Sequence, residues 1–157
     1  MSVLEHSGTG ARMTVPEGWE VVEPGTGEVA EAVVTALEPP RQAPVGFRAN
    51  LVLSVVGTGL DFRQWQVNTD IMLPQALTDF VLLDLERLEV AGHPGGRRLA
   101  RHVGPDGTDL TLEQWFTLVD GAGITVSATV DSWRYDAVAD ELATHARSLS
   151  LPGGGGA

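Results

Sequence analysis

LTLEQWFTLVDGAGITVSATV (residues 110–130), followed at once by DSWRYDAVADELATHARSLSL (131–151), decides the fold. Ile124, Val126, Ala128 and Val130 point one way and Thr125, Ser127 and Thr129 the other, the period of two of a half-buried strand. Before them, Leu110, Leu112, Phe116 and Leu118 share a parity interrupted only by Gln114, while Thr111, Glu113, Trp115, Thr117 and Val119 occupy the opposite one. Asp120-Gly121 supplies a tight turn with Gly123 close behind, so the stretch reads as a hairpin. A helix follows, capped by Asp131 or Ser132 and ended by Pro152, with Val138, Leu142, Ala146 and Leu149 along one stripe. One apolar sheet face and one apolar helix stripe imply that the helix lies on the sheet.

Outward from that stretch, extended segments are expected at Arg12–Val15, at Trp19–Val22 after a Pro-Glu-Gly-Trp turn, in the second half of Val29–Leu37, and at Arg48–Val56. Asp61 opens a helix whose stripe is Phe62, Trp65, Thr69 and Met72 and which Pro74 breaks or restarts. Phe80–Ala91 reads as a long strand that changes phase between Val81, Leu83, Leu85 and Leu88, Val90, which a bulge near Glu86-Arg87 reconciles. Gly92–Gly96 reads as a loop, Arg97–Val103 as a strand and Gly104–Gly107 as a turn; 23–27 and 39–44 read as loops. The order β-β-β-β-α-β-β-β-β-α predicts an α+β domain over residues 10–151: a single antiparallel β-sheet with two main helices packed on one face. Residues 1–9 are expected to be flexible or an edge strand, and 152–157 a flexible Gly-rich tail.

At 157 residues the chain is large enough to bury roughly 70% of its unfolded surface in one core. A net charge of −11 argues against nucleic acid and anionic membranes as partners. The absence of cysteine removes thiol catalysis, disulfides and Cys-ligated zinc. MSVLEHSGTGARMTV (1–15) has neither the basic nor the apolar region of a secretory signal, and no run approaches the ~18 apolar residues of a membrane span, so a cytoplasmic protein is expected.

Catalytic chemistry finds little support. His6, His93, His102 and His145 lie on four separate segments without metal-binding spacing. Ser54 and Ser127 sit in strands without a nucleophile elbow, Gly57-Thr58-Gly59 lacks the rest of a phosphate-binding loop, and Asp61, Asp70, Asp79 and Asp84 form no evident carboxylate pair. No catalytic residue, metal or cofactor is therefore expected. The sheet face turned away from the helices is the more informative feature. Trp115, Thr117, Thr125, Ser127 and Thr129, with Asn50 and Ser54, are expected to line it, a mixed surface of hydroxyls around a tryptophan suited to an amphipathic partner.

Landmarks along the chain resemble a known superfamily. They are Pro-x-Gly-Trp (16–19), Ala-Asn-Leu (49–51), Leu-Pro-x-x-Leu-x-Asp-Phe (73–80), small-Gly-x-Pro-Gly (91–95), Gln-Trp-Phe (114–116) and a helix ending in Ser-Leu (148–149). In that order they resemble the PsbP/Mog-type fold, within it the bacterial DcrB-like and LpqN-type families, which include the Eag effector chaperones. The resemblance implies a non-enzymatic adaptor or chaperone-like protein that binds a protein or peptide segment, such as an apolar helix of a secreted effector, on its open sheet face. It also implies a homodimer through that face. The chain departs from LpqN-type lipoproteins in having no lipobox cysteine. A small-molecule or lipid carrier with a pocket between sheet and helices is the alternative, and an unrecognised hydrolase the outside one.

Overall fold

The computed structural model describes residues 2–22, 31–40 and 46–152, so the loop at 23–27, most of that at 39–44 and the tail at 153–157 lie outside the described residues. Among them nine strands and two α-helices follow in order: β1 (Val3–His6), β2 (Ala11–Thr14), β3 (Glu20–Val22), β4 (Glu31–Leu37), β5 (Asn50–Gly57), α1 (Phe62–Ala76), β6 (Thr78–Val90), β7 (His93–Val103), β8 (Asp109–Val119), β9 (Ala122–Asp131) and α2 (Tyr135–Arg147). A 3-10 turn, Ser132–Arg134, joins β9 to α2. Strands β3 to β9 form one antiparallel sheet in the order β3-β4-β5-β9-β8-β7-β6, and β1 and β2 form a separate hairpin. The fold is α+β and antiparallel, as the sequence indicates.

Two-residue turns fix the register of the second half. Asp120 (φ 49) and Gly121 (φ 76) are both left-handed, as are Ala91 (φ 53) and Gly92 (φ 81), the geometry that matches the twist of a tight hairpin. The first turn sets Val119 opposite Ala122, and stepping back along both strands sets Thr117 opposite Ile124 and Trp115 opposite Val126. The second turn sets Val90 opposite His93, so His93–Gly96 is the start of a strand, where a loop was expected. Gly96 is required there by packing. A Cβ on it would lie 2.5 Å from the Phe116 ring.

The main core fills one side of the sheet. Leu51, Leu53 and Val55 of β5 and Ile124, Val126, Ala128 and Val130 of β9 pack there against Leu142 and Ala146 of α2 and against Leu4 and Met13 of the β1–β2 hairpin. Residues 3–6 form an edge strand, paired with β2 alone, which is one of the two forms expected of the N-terminal segment, and its Leu4 is fully buried in the core. Backbone hydrogen bonds between Arg12 and Ser150, at 3.0 and 2.9 Å, fasten the end of the helical segment to β2.

The two helices lie on opposite faces, which corrects the expectation of one face. Helix α1 begins with a capping box, Asp61 accepting from the Gln64 amide and Gln64 reaching back. Its Phe62 stacks on Phe116 at 6.0 Å and its Trp65 meets the same ring edge-on, close enough that a Cβ on Gly123 would lie 2.6 Å from the indole. Asp70 takes two hydrogen bonds from the buried Arg98 guanidinium, at 3.0 and 2.5 Å, and Arg98 lies over the Phe116 ring. Phe116, Gly123 and Arg98 all have the parity opposite to Val126. Strand β8 is therefore covered on both sides, and its residues Leu110–Thr117 are buried without interruption, as a central strand between two layers must be. Met72, placed on the inner stripe by spacing, is 58% exposed, because α1 turns Asp70 toward the sheet. Pro74 sits inside the last turn without ending the helix. The irregularities of β6 fall between Thr78 and Val81 and between Leu82 and Asp84, earlier than the bulge expected near Glu86.

Candidate functional site

Register divides the residues expected to share an open face. Trp115 faces Val126 in the main core and is 4% exposed, and Thr117 is fully buried, its hydroxyl donating to the Pro94 carbonyl at 2.8 Å. Asn50, Ser54, Thr125, Ser127 and Thr129 do share a face, the α1 side, as the half-buried cross-strand pairs Asn50–Thr129 and Ser54–Thr125 beside Ser127. Ser127 accepts from the Gln114 amide at 3.0 Å, and Gln114 in turn accepts from Arg98 at 2.7 Å, so part of this hydroxyl surface completes the anchorage of α1. The aromatic beside it is Phe116, opposite Thr125 and covered by α1.

A different surface stands out on the α2 side. Strand β6 is the sheet edge; its Val81 (54% exposed) and Leu83 (51%) reach solvent on this side, while Leu82 (45%) and Leu85 (37%), paired with Ala100 and Arg98, reach it on the α1 side. Between this edge and α2 runs a chain of open grooves. The first, about 520 Å³, has Leu88, Val90 and Trp115 at its base and Ala139, Ala143 and Ala146 as its helix wall. Alanine at these positions leaves α2 too thin to fill the space above β6 and β7. The second, about 570 Å³, is lined by Leu83, Leu99, Arg101, Trp133 and Tyr135, and the third, about 260 Å³, by Val81, Leu83, Arg101 and Asp109. Tyr135 borders both the first and second grooves, and Leu83, Arg101 and Asp109 both the second and third, so the three form one trench. Its floor follows β7 for about eight residues, roughly 25 Å at the rise of a strand.

A buried ion pair holds the trench floor. Glu113, 3% exposed, accepts from Arg97 Nε at 2.5 Å and from the Tyr135 hydroxyl at 2.9 Å. Arg97 also donates to Asp84 at 3.2 Å and Glu86 at 3.4 Å. Burial opposes the Arg97 charge, yet its hydrogen bond to Glu113 and that carboxylate's charge hold its pKa above the ordinary arginine value. Burial, and then the neighbouring Glu113 charge and hydrogen bond, push the Tyr135 phenol up to about 12. Glu113, Arg97 and Tyr135 thus form one closed hydrogen-bonded unit. A second ion-pair group, Arg134 with Glu38 at 2.6 Å and Asp131 at 2.7 Å, clamps the 3-10 turn beside Trp133. On the opposite side of α2, His145 Nδ1 lies 2.8 Å from the Thr14 hydroxyl, which donates to Ser148, and Ser148 donates to the His145 carbonyl. Thr14 and Ser148 thereby spend their protons in a helix-end cap.

The trench residues escaped the parity argument because β6 carries apolar side chains on both parities. A run such as Val81-Leu82-Leu83-Asp84-Leu85 reads as an ordinary buried strand until its edge position is known. Glu113, an acid in the middle of β8 on the parity of Trp115, was the signal for the ion pair.

Neither a comparison with protein-family models nor one with curated proteins finds a match. Solved structures do match over nearly the whole chain. LpqN of Mycobacterium tuberculosis, described as involved in cell envelope biogenesis, superposes with a TM-score of 0.70 at 11% identity, covering 96% of this chain and 89% of its own. The cyanobacterial PsbP protein (CyanoP) of Synechocystis sp. PCC 6803 gives 0.66 at 16% identity, covering 96% and 91%. This chain has a PsbP-like fold. A third structure with this fold, PA94 of Pseudomonas aeruginosa, a protein of unknown function described as a regulator, gives 0.66 at 14% identity and 94% of each chain. Likeness at these identities carries the PsbP-like architecture and no function.

Proposed function

We propose that this chain is a non-enzymatic binding module that holds an apolar segment of a partner polypeptide in the trench between the β6 edge and α2. The observation that carries this reading is the exposure of Val81 and Leu83, both above 50%, on an unpaired sheet edge beside Trp133 at 76%. Isolated exposed apolar residues are common, but a contiguous run lining a groove is characteristic of interaction sites. The trench length suits about seven or eight extended residues, or a helix of roughly seventeen. This reading moves the docking surface from the hydroxyl face to the opposite side of the sheet. A small-molecule carrier is the second reading, because the first groove falls in the size range of ligand pockets, ~300–1,000 Å³. The grooves are open and continuous, which favours a polymer. A second copy of the chain is a competing occupant, which sedimentation at micromolar concentration identifies. Among the described residues no helix is long and apolar enough to cross a membrane, and a cytoplasmic setting belongs to the same proposal.

The test is a photoreactive phenylalanine analogue placed at position 83, with the same probe at Glu5 on the β1–β2 hairpin as control. One discrete cross-linked polypeptide at 83, lost on Val81→Lys and absent at 5, is the expected outcome. Adducts at 5 but not 83, or at neither, contradict it.

A further inference from the structure

Strand β6 stands at the edge of the sheet but carries the side-chain pattern of a strand inside it. Its exposed apolar residues lie on both faces. Val81 and Leu83 are on the trench side, and Leu82 and Leu85, paired with Ala100 and Arg98, are on the α1 side. The irregularity at 83 produces this division, because Leu83 and Asp84 both turn to the trench side, where Asp84 meets Arg97. Helix α1, on the second face, leaves its own Ile71 and Met72 exposed as well. A near-continuous apolar run is the mark of a strand covered on both faces.

A helix or a small molecule lying in the trench reaches only the first of these faces. An added strand reaches both, since its side chains alternate across the plane of the sheet. From Asp84 to Val90 β6 pairs with β7 without a shift of register, so every second residue there directs its backbone N–H and C=O outward. Among the described residues no strand meets those groups. A second copy of the chain fits them poorly. β6 carries Asp79, Asp84, Glu86 and Glu89 against the single cation Arg87, and pairing two copies edge to edge sets like charges together. Arg97 is shared between Asp84 and Glu86 and leaves the edge acidic.

Resting on the trench reading above, we propose that the partner segment binds as an added strand, hydrogen-bonded to the β6 edge and apolar on both parities. Side chains of one parity enter the trench over Val81 and Leu83, and those of the other cover Leu82 and Leu85. Backbone hydrogen bonds then supply affinity and the two apolar faces supply selectivity.

Two fluorescent, uncharged peptides supply the test. One has about eight residues, the span of the trench, with valine and leucine alternating at its centre and threonine at its ends. The other is a helix of roughly seventeen residues with one apolar stripe. Binding is followed by anisotropy, and amide exchange of the protein by nuclear magnetic resonance. The extended peptide is expected to bind more tightly and to slow exchange roughly tenfold or more at every second residue of 84–90. Val81→Ser/Leu83→Ser and Leu82→Ser/Leu85→Ser, on the two faces, are each expected to weaken it by about fivefold or more. Tighter binding of the helix, unchanged exchange at 84–90, or a loss confined to Val81→Ser/Leu83→Ser overturns strand addition and leaves the trench standing. Slowed exchange without peptide, growing with protein concentration, makes a second copy the occupant and overturns the choice of partner. If neither peptide binds at millimolar concentration, or Val81→Ser/Leu83→Ser affects neither, the trench reading itself falls.

Discussion

Strands β9 and β6 belong to one sheet and both carry large apolar side chains, yet those of β9 and of the first half of β6 have opposite fates. In β9, Ile124, Val126, Ala128 and Val130 are at most 2% exposed; in β6, Val81, Leu82, Leu83 and Leu85 are between 37% and 54% exposed. The difference is one of position. β9 has hydrogen-bonded neighbours on both sides and α2 with the N-terminal hairpin above it, whereas β6 has β7 on one side and, among the described residues, no strand on the other. Hydrophobicity in β9 stabilises the fold, and hydrophobicity in β6 contributes little that solvent does not already share. A long apolar edge is a hazard that proteins usually blunt. Here two irregularities interrupt it, at 79–80 and 83, but its side chains are left uncovered.

Substitutions sharpen this contrast in order of size. Trp115→Ala, in the core beside β9, is expected to cost about 3–5 kcal/mol in urea denaturation, the range for emptying a buried aromatic site. A loss under 1 kcal/mol would return Trp115 to the surface. Next, Arg97→Ala leaves the Glu113 carboxylate buried without its cation, and a loss of roughly 3 kcal/mol is expected, with Arg97→Ala/Glu113→Gln recovering part of it. Recovery separates an uncompensated charge from lost packing.

The Tyr135 phenol gives a pH test between core and edge. Its pKa is raised in the folded state to about 12, above the ordinary value near 10 for an unfolded chain. The unfolded state therefore loses its proton first. The contribution is complete below about pH 10 and is lost as pH rises through 12. Stability measured across pH 9–12 is expected to decline more steeply in the native protein than in Tyr135→Phe; identical slopes would break the assignment. Smaller again, Asp61→Ala removes the capping box of α1 and is expected to cost about 1 kcal/mol. Because α1 is mostly exposed, its fraying should appear in helical circular dichroism before the sheet is affected.

Much of the fold was legible because period and turn chemistry act locally. Asp120-Gly121, the alternation of β9 and the stripe Leu142–Ala146 each specify their own geometry. What failed was a step that combined them. A two-residue turn after Val119 already places Trp115 opposite Val126, so the tryptophan belonged with the core parity. The apolar parity of β8 (Leu110, Leu112, Phe116) then needed a second cover, and α1 provides it. Reading β8 as one-sided put both helices on one face and Trp115 on the other. The pairing of His93–Gly96 was hidden by its glycines, which look like a loop until the Phe116 ring is seen resting on Gly96. The exposure of β6 was not readable at all, since which strand becomes the edge is a property of the whole sheet order.

The most direct test of the central claim is the double variant Val81→Lys/Leu83→Lys, followed by urea denaturation together with binding of the apolar-surface dye anilinonaphthalene sulfonate. If these residues serve association and not the core, stability changes by less than about 0.5 kcal/mol, as for other exposed positions, and dye fluorescence falls. A loss of roughly 2 kcal/mol or more, the mark of a core position, or undiminished dye binding, would contradict the account.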